Sequence, residues 1–308
     1  MKTKLKQTLL PLLTALIWGT AFVAQDVCSD HISAMTFNTL RFFIAVAFLL
    51  IVRAVLRASK RRGGELSSEL SPDEKRAYRK RLLVAAVSCG TALAIASILQ
   101  QAGMDNGTDS GKSGFITALY VVLVPVGGLL LKKRVPAIFW LGLALAVIGL
   151  YLLCVSGSFR LAPGDLLTLL CAVAFTVQIL LIDRFAPGLD SVEFCCAEFV
   201  VAGIWSLIGM LVFEKPEWSG IAACALPLLY VAIFSSGVAY LLQIVAQRDG
   251  NPAVVTILFS LEAVFSAIAS AIILHQRMTA REYIGCALMF AAVLISQIPS
   301  RESRMEAR

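Results

Sequence analysis

The sequence has 308 residues, of which 58% carry hydrophobic side chains and 15% are charged, and its mean hydropathy is +0.82. Soluble domains carry about 25% charged residues, so this composition excludes a large soluble domain and indicates an integral membrane protein. A net charge of +7 and a pI of 9.1 would also suit a nucleic-acid-binding protein. The positions of the Lys and Arg residues decide between these two explanations of the charge.

Apolar stretches along the chain predict ten transmembrane helices, each near the roughly 20 residues that a crossing needs. Their approximate ranges are 8–25, 34–56, 82–103, 113–131, 137–155, 164–182, 192–213, 221–246, 252–274 and 282–298. Pro and Gly residues punctuate the connections between them. The connections are short except for residues 57–81, which we predict to be a polar cytoplasmic loop that attracts anionic headgroups and could contain a short surface helix.

The distribution of basic residues predicts how the ten helices are oriented. With the amino terminus inside, 21 of the 27 Lys and Arg residues fall on the inner side, five fall on the outer side, and Arg41 lies within a span. Cytoplasmic segments of membrane proteins carry such an excess of positive charge. We therefore predict a multi-pass protein of the plasma (inner) membrane with both termini cytoplasmic, and no nucleic-acid partner.

The eight cysteines give no sign of a metal site or a disulfide framework. They are scattered along the chain without a CxxC pair, whereas zinc sites and disulfide-rich folds show characteristic cysteine spacings. We interpret them as small residues that pack inside the membrane. No metal and no cofactor is predicted.

Matches between the two halves of the chain indicate an internal repeat. Residues 21–25 and 174–178 both read AFxxQ, which makes Gln25 and Gln178 repeat mates. Another match, displaced by a similar interval, aligns Arg41 in the second span with Glu198 in the seventh. Five spans per copy is an odd number, so the second copy must enter the membrane in the opposite orientation.

The predicted organisation is therefore an all-α integral membrane protein of two inverted five-helix repeats. The first repeat covers residues 1–157 and includes the cytoplasmic loop 57–81, and the second repeat covers residues 158–308. Inverted repeats of this kind build many transporters that open alternately to the two sides of a membrane.

Several of these segments carry a family resemblance. Residues 16–22, LIWGTAF, and 40–42, LRF, resemble the first and second helices of EamA-type transporters in the drug/metabolite transporter superfamily. Residues 261–265, LEAVF, are similar to the ninth-helix pattern LEPVF, with Ala263 in place of the proline. The fourth span keeps a comparable proline, Pro125.

The resemblance implies ten helices around a central cavity, with the fifth and tenth helices at the periphery. It also implies a transporter, since members of this family export amino acids, other metabolites or toxic compounds. The chain departs from the family where a glycine–glutamate pair often follows the fourth and ninth helices. Lys132-Lys133 and His275-Gln276 stand there instead.

Glu262 lies near the middle of the ninth span, where a charged group is costly and needs a role or a partner. It could bind the proton that couples transport or contact a cationic group of the substrate. It could equally be a buried acid that is hydrogen-bonded to a neighbouring helix and fixes packing.

Arg41 and Glu198 lie at similar depths from opposite ends of their spans. They could act as gates that pair in one conformation and separate in another. The alternatives are a purely structural role and, for Arg41, a side chain that extends to the membrane surface.

Uncharged polar and aromatic residues inside the spans are candidates for substrate contact or for hydrogen bonds between helices. The candidates for substrate binding, together with Glu262, are Trp18, Gln25, Tyr120, Gln178 and Tyr240. Asn38, Gln100, Gln101 and Gln243 complete the polar set. A cavity lined in this way would suit a neutral, zwitterionic or aromatic solute better than a multiply charged anion.

Two prolines interrupt predicted spans and are candidate hinges. Pro125 and Pro227 would free backbone carbonyls in the fourth and eighth spans, and the resulting kinks could be mobile or fixed. Small residues near Gly142 and Gly285 permit close helix contact, either within the protein or in a homodimer.

The sequence favours a secondary transporter that exports small metabolites by alternating access. A receptor or scaffold without transport is the main alternative. An intramembrane enzyme is less well supported, because the two histidines lie near predicted surfaces and no spacing of catalytic groups is recognisable within a span.

Overall fold

The computed structural model describes residues 2–62, 71–108, 110–130, 137–154, 163–273 and 278–296. Within these ranges the chain is helical and contains no strand. The helices are α1 (Lys2–Ser29), α2 (Ala34–Arg62), α3 (Pro72–Asp105), α4 (Ser110–Thr117), α5 (Tyr120–Leu130), α6 (Ala137–Cys154), α7 (Pro163–Phe185), α8 (Ser191–Phe213), α9 (Trp218–Ala223), α10 (Ala225–Tyr230), a π-helix (Val231–Ala239), α11 (Tyr240–Asp249), α12 (Pro252–Phe259), α13 (Glu262–Ile273) and α14 (Ala280–Ser296).

The prediction of an all-α membrane protein is confirmed. Among the described residues, eight helical stretches are long and apolar enough to cross a membrane, and they correspond to predicted spans one to four and six to nine. The shorter helices α6 and α14 occupy the fifth and tenth predicted spans with 18 and 17 residues. Ten crossings remain a prediction.

The prediction of a polar loop over residues 57–81 is wrong at both ends, because helices extend into it. Helix α2 continues to Arg62, and α3 begins at Pro72. Ser71 accepts a hydrogen bond from the backbone N–H of Glu74, whose side chain bonds back to the N–H of Ser71. This capping box, with a proline in the first turn, starts α3 well before its apolar part.

Three sequence features of interest lie outside the described residues. These are the junction between residues 157 and 158, the Lys132-Lys133 pair and the His275-Gln276 pair. The central part of the predicted loop, residues 63–70, is also outside them.

Helices α6 and α14 pack closely against each other. A side-chain carbon at Gly149 would lie 2.8 Å from the backbone oxygen of Gly285 and 2.7 Å from Met289. The small residues of these two helices therefore serve an internal contact, as close helix approach in membranes requires. A homodimer face on this pair remains a prediction.

The fourth and ninth predicted spans are each broken near the middle. The fourth changes from α4 to α5 between Thr117 and Tyr120, and the ninth changes from α12 to α13 between Phe259 and Glu262. Helix α5 packs against α12, and α4 packs against α13. The two breaks consequently lie beside each other, where backbone polar groups are tolerated only if they face protein or a cavity.

The eighth predicted span is irregular in a different way. Helix α10 is followed by nine residues of π-helix before α11 begins. Pro227 lies in the first turn of α10, where a backbone N–H has no intrahelical partner to lose. Pro125, by contrast, lies inside α5 and removes a hydrogen bond there. The hinge roles of both prolines remain predictions.

The buried apolar side chains form two large clusters that each combine residues from both halves of the sequence. One cluster joins α4, α5 and α6 to α12, α13 and α14, and the other joins α2 and α3 to α7, α8 and α11. Trp18 and Phe175 pack against both clusters. The region between the clusters, beside these two rings, is where the cavity lies.

Candidate functional site

A cavity lies where α1, the two broken helices and the π-helix meet. Its lining combines aromatic rings, amides, hydroxyls, one cation and one acid. The lining residues are Trp18, Phe22, Gln25, Arg41, Gln100, Thr117, Tyr120, Phe175, Ile179, Ser235, Tyr240, Gln243 and Glu262.

Glu262 reaches the cavity from the first residue of α13. Its carboxylate Oε1 accepts a hydrogen bond of 2.9 Å from the hydroxyl of Tyr120, the first residue of α5. The Glu262 side chain is 3% exposed. A side-chain carbon at Gly19 of α1 would lie 2.5 Å from the Glu262 backbone oxygen, so glycine is what allows α1 to pack against this acid.

Arg41 reaches the cavity from α2 and is 3% exposed. Its Nε–H donates to the hydroxyl of Ser236 at 3.1 Å, and its Nη1–H donates to Oε1 of Gln25 at 3.4 Å. The guanidinium also lies 5.5 Å and 5.1 Å from the ring centres of Phe37 and Phe42. The guanidinium is therefore held inside the protein by aromatic rings and does not extend to the membrane surface.

Glu198 lies behind the cavity wall and is fully buried. Its Oε1 accepts a 2.9 Å hydrogen bond from Nε2 of Gln178, and Gln178 Oε1 accepts one of 3.3 Å from Nε2 of Gln243. Gln243 lines the cavity. A side-chain carbon at Gly90 would lie 2.6 Å from the Glu198 backbone oxygen, so this acid also lies where a glycine permits close helix contact.

Arg41 and Glu198, which are predicted to occupy corresponding positions in the two halves, have separate hydrogen-bond partners in this conformation. Each one bonds to the amide from the preceding span of its own half, Arg41 to Gln25 and Glu198 to Gln178. Gln25 and Gln178, the predicted repeat mates, thus each contact a buried charged residue, and the two charged residues have opposite signs. The gating role remains a prediction.

Aromatic rings form one wall of the cavity. The Trp18 ring lies 5.0 Å from that of Tyr240 and 5.2 Å from that of Phe259. The Trp18 indole N–H donates a hydrogen bond of 3.2 Å to the backbone carbonyl of Ser235 in the π-helix. The Trp18 ring is consequently fixed by an edge-to-face contact, a tilted ring contact and a hydrogen bond, and its aromatic surface is apolar.

Most of the site residues predicted from the sequence meet at this cavity. Trp18, Gln25, Tyr120, Tyr240 and Glu262 line it, as does Arg41. Gln178 lies behind the wall and reaches the cavity through Gln243.

Sequence reasoning missed the hydroxyl groups of Thr117, Ser235 and Ser236. Ser236 bonds to Arg41, and Thr117 accepts a hydrogen bond from Gln100. The run Ser235-Ser236-Gly237 is a weak signal that could have drawn attention to the eighth span. Among the described residues, no group of acidic, His or Cys side chains could hold a metal ion.

A membrane-embedded helical protein with a cavity at two helix breaks, lined by polar and aromatic side chains, has the architecture of a membrane transporter, and comparison with known proteins identifies the family. The sequence matches the EamA-like transporter family over residues 5–155 and again over residues 162–297. The chain belongs to that family. It is a multi-pass membrane protein and a membrane transporter.

Curated relatives and a solved structure agree with this assignment. An uncharacterized transporter of Archaeoglobus fulgidus is 29% identical over 288 residues, covering 92% of this chain and 83% of its own. An uncharacterized transporter of Methanothermobacter thermautotrophicus is 24% identical, covering 92% and 84%. One crystal structure with 17% identity superposes with a TM-score of 0.74 over 98% of this chain and 99% of its own, which shows that the fold is shared.

Proposed function

We propose that this protein is a secondary transporter that exports small metabolites, amino acids or related zwitterionic, neutral or amphipathic solutes, by alternating access. One observation carries the proposal: Arg41 and Glu262 line the same cavity. A buried cation and a buried acid in one site provide complementary partners for a carboxylate and an amine. Export is the direction that the family resemblance implies.

The rest of the lining supports the same substrate class. Phe22, Trp18 and Phe175 provide apolar surface, while Gln25 and Gln100 provide amide groups. A multiply charged anion would need several cations to compensate for its desolvation. Arg41 is the cation that the described lining offers, so a neutral or zwitterionic solute fits better.

Alternating access would follow from two inverted repeats covering residues 1–157 and 158–308. The two separate matches to one family support a duplication. The equivalent Gln25–Arg41 and Gln178–Glu198 contacts support it further. Each half would then supply one gate, with Arg41 and Glu198 as gating residues and the helices around Pro125 and Pro227 as hinges.

The orientation proposed is the one in which both termini are cytoplasmic and the protein resides in the plasma membrane. The excess of Lys and Arg in the segments assigned to the inner side supports it. Single cysteines introduced at Asp30 and at Arg76, in a background without the native cysteines, test it with a membrane-impermeant thiol reagent. Labelling of the Asp30 position alone in intact cells is expected, and labelling of the Arg76 position alone would contradict the orientation.

Purified protein in lipid vesicles tests the transport proposal directly. Vesicles preloaded with unlabelled neutral amino acids are expected to accumulate the labelled solute transiently and with saturation. Ohmic current would indicate a channel, and solute binding without accumulation would indicate a receptor. Glu262→Gln, which keeps the side-chain shape, is expected to lose coupling to a proton gradient.

A further inference from the structure

We propose that Glu198, Gln178 and Gln243 form a hydrogen-bond chain whose direction reverses when Glu198 binds a proton, so that Gln243 offers the substrate an acceptor in one state and a donor in the other. This inference rests on the proposed function, since the cavity is taken to be the substrate site. It assigns to Glu198 a proton-binding role at a distance from the substrate.

The direction of the chain in the structure is fixed by the chemistry of its members. Glu198 accepts from Gln178, and Gln178 accepts from Gln243. An amide has one end that donates and one that accepts. With both NH₂ groups aimed toward Glu198, the free end of the chain is the carbonyl oxygen of Gln243, which is buried without a hydrogen-bond partner in the protein.

Protonation of Glu198 adds a hydrogen-bond donor that needs an acceptor. The carboxylate accepts a proton from a hydronium ion, which leaves a water molecule behind, and a new O–H bond forms on the side chain. The second carboxylate oxygen, Oε2, has no partner and is buried, so a hydrogen placed there would be unsatisfied. Donation to Gln178 satisfies it only if the Gln178 amide turns over.

Rotation of the Gln178 amide requires the Gln243 amide at the cavity wall to rotate as well. Once Gln178 presents its NH₂ group to Gln243, the amide of Gln243 must turn over to accept with its oxygen. Its own NH₂ group then faces the cavity. The ionised state of Glu198 therefore favours an amine at this wall, and the protonated state favours a carboxylate or carbonyl.

The environment of Glu198 leaves the amide chain as its main contact. Helix α7 contributes Gln178, and two cations of α2 are engaged elsewhere: Arg41 bonds to Ser236 and Gln25, and Arg53 forms an ion pair with Glu193. The titratable side chains close enough to act electrostatically with Glu198 are Cys89 of α3, Cys195 of α8 and Tyr240 of α11. None of these is a permanent cation, so no fixed positive charge is seen in contact with Glu198 among the described residues.

Competition experiments on the full chain in vesicles test the effect on substrate preference. Propylamine and propanoate, whose own charges stay constant from mildly acidic to mildly alkaline pH, compete with uptake of labelled neutral amino acids. In the wild type we expect the apparent affinity for propylamine to be about tenfold higher at alkaline than at acidic pH. The apparent affinity for propanoate should be about tenfold higher at acidic pH. A tenfold change is what the gain or loss of one hydrogen bond produces. Glu198→Gln should remove most of this shift.

Two matched variants on α11 distinguish an effect of the hydrogen-bond chain from general effects of pH. Gln243→Met breaks the chain at the cavity, whereas Gln247→Met removes a buried amide one turn away that donates to the backbone oxygen of Ile179. The shift should be lost in Gln243→Met and kept in Gln247→Met. A wild-type shift in Gln243→Met would overturn the proposal.

Infrared difference spectra between the two pH values give a readout that needs no transport. The carboxyl band lost in Glu198→Gln and the amide bands lost in Gln178→Met and Gln243→Met should change over the same pH interval. If Glu198 does not titrate there, or titrates without a change in the amide bands, the proposal fails even when solutes are carried. If the bands change together but no amino acid is carried, the proposed function fails and the proton-driven chain stands.

Discussion

Tyr120 donates its hydroxyl hydrogen to Glu262 at 2.9 Å, and each residue is the first after a break in its helix. The bond joins α5 to α13 at the cavity, so the two helix breaks and the buried acid lie next to each other. A break in a membrane helix leaves backbone groups that need protein or water partners. The relation between these two residues thus links the fold to the proposed chemistry of the site.

Tyr120→Phe should weaken transport without unfolding the protein. Loss of one hydrogen bond to a charged or ionisable partner costs about 1.5–3 kcal/mol, which corresponds to roughly a 10- to 100-fold rise in KM for amine-bearing solutes. Counterflow at a series of solute concentrations measures it. Tyr283→Phe, on a side chain that is 62% exposed, is the control and should leave KM unchanged.

Gly19→Ala should disrupt the packing of α1 against α13 beside the site. The added carbon would lie 2.5 Å from the backbone oxygen of Glu262 and 2.7 Å from Cβ of Phe265, so α1 must move away from α13. Overpacking of this kind typically costs about 1–3 kcal/mol, and a lower midpoint of thermal unfolding in detergent should reveal it. Gly114→Ala meets only the Phe22 ring at 4.0 Å; an equal loss in both variants would disprove this explanation.

Arg41→Gln should change selectivity for the carboxylate end of a solute. The guanidinium is the cation of the described lining, so uptake of amino acids should fall strongly, while competition by propylamine should persist. Loss of a charge-assisted pair is expected to raise KM about 10- to 100-fold. Equal loss of amine and carboxylate recognition would argue that Arg41 only supports packing.

The ion pair of Arg53 with Glu193 should contribute little to stability. Both side chains are 27% exposed, and pairs of this kind contribute at most about 1 kcal/mol. Tyr78 also donates to Glu193, which gives the acid a second partner. Arg53→Gln should therefore leave the unfolding midpoint within a few degrees of the wild type, and a larger drop would show that the pair holds α2 to α8.

The sequence was sufficient to predict the helical membrane fold and most of the cavity lining. A polar residue inside an apolar span is costly, so Gln25, Glu262 and Arg41 were conspicuous. Serine and threonine are common in membrane helices as packing residues, so Thr117 and Ser236 were not conspicuous in the sequence. Their role depends on which helix face meets Arg41 or Gln100.

Helix irregularities were harder to predict. The break before Tyr120 contains neither Gly nor Pro, and neither does the break before Glu262. Tertiary contacts between the two broken helices determine those positions. Pro227 does not remove a hydrogen bond inside a helix, because it falls in the first turn of α10, where proline is tolerated; its hinge role remains a prediction. Depth along a span likewise could not show that Arg41 and Glu198 would each bond to an amide of its own half.

Counterflow in reconstituted vesicles, with the wild type and Glu262→Gln measured side by side, tests the central claim most directly. Transient, saturable accumulation of a labelled neutral amino acid is expected in the wild type, with a response to an imposed proton gradient that Glu262→Gln lacks. Accumulation that is identical in both proteins, with the same gradient response, would contradict the coupling role of Glu262. Absence of counterflow for the whole set of amino acids in well-folded protein would contradict the proposed substrate class.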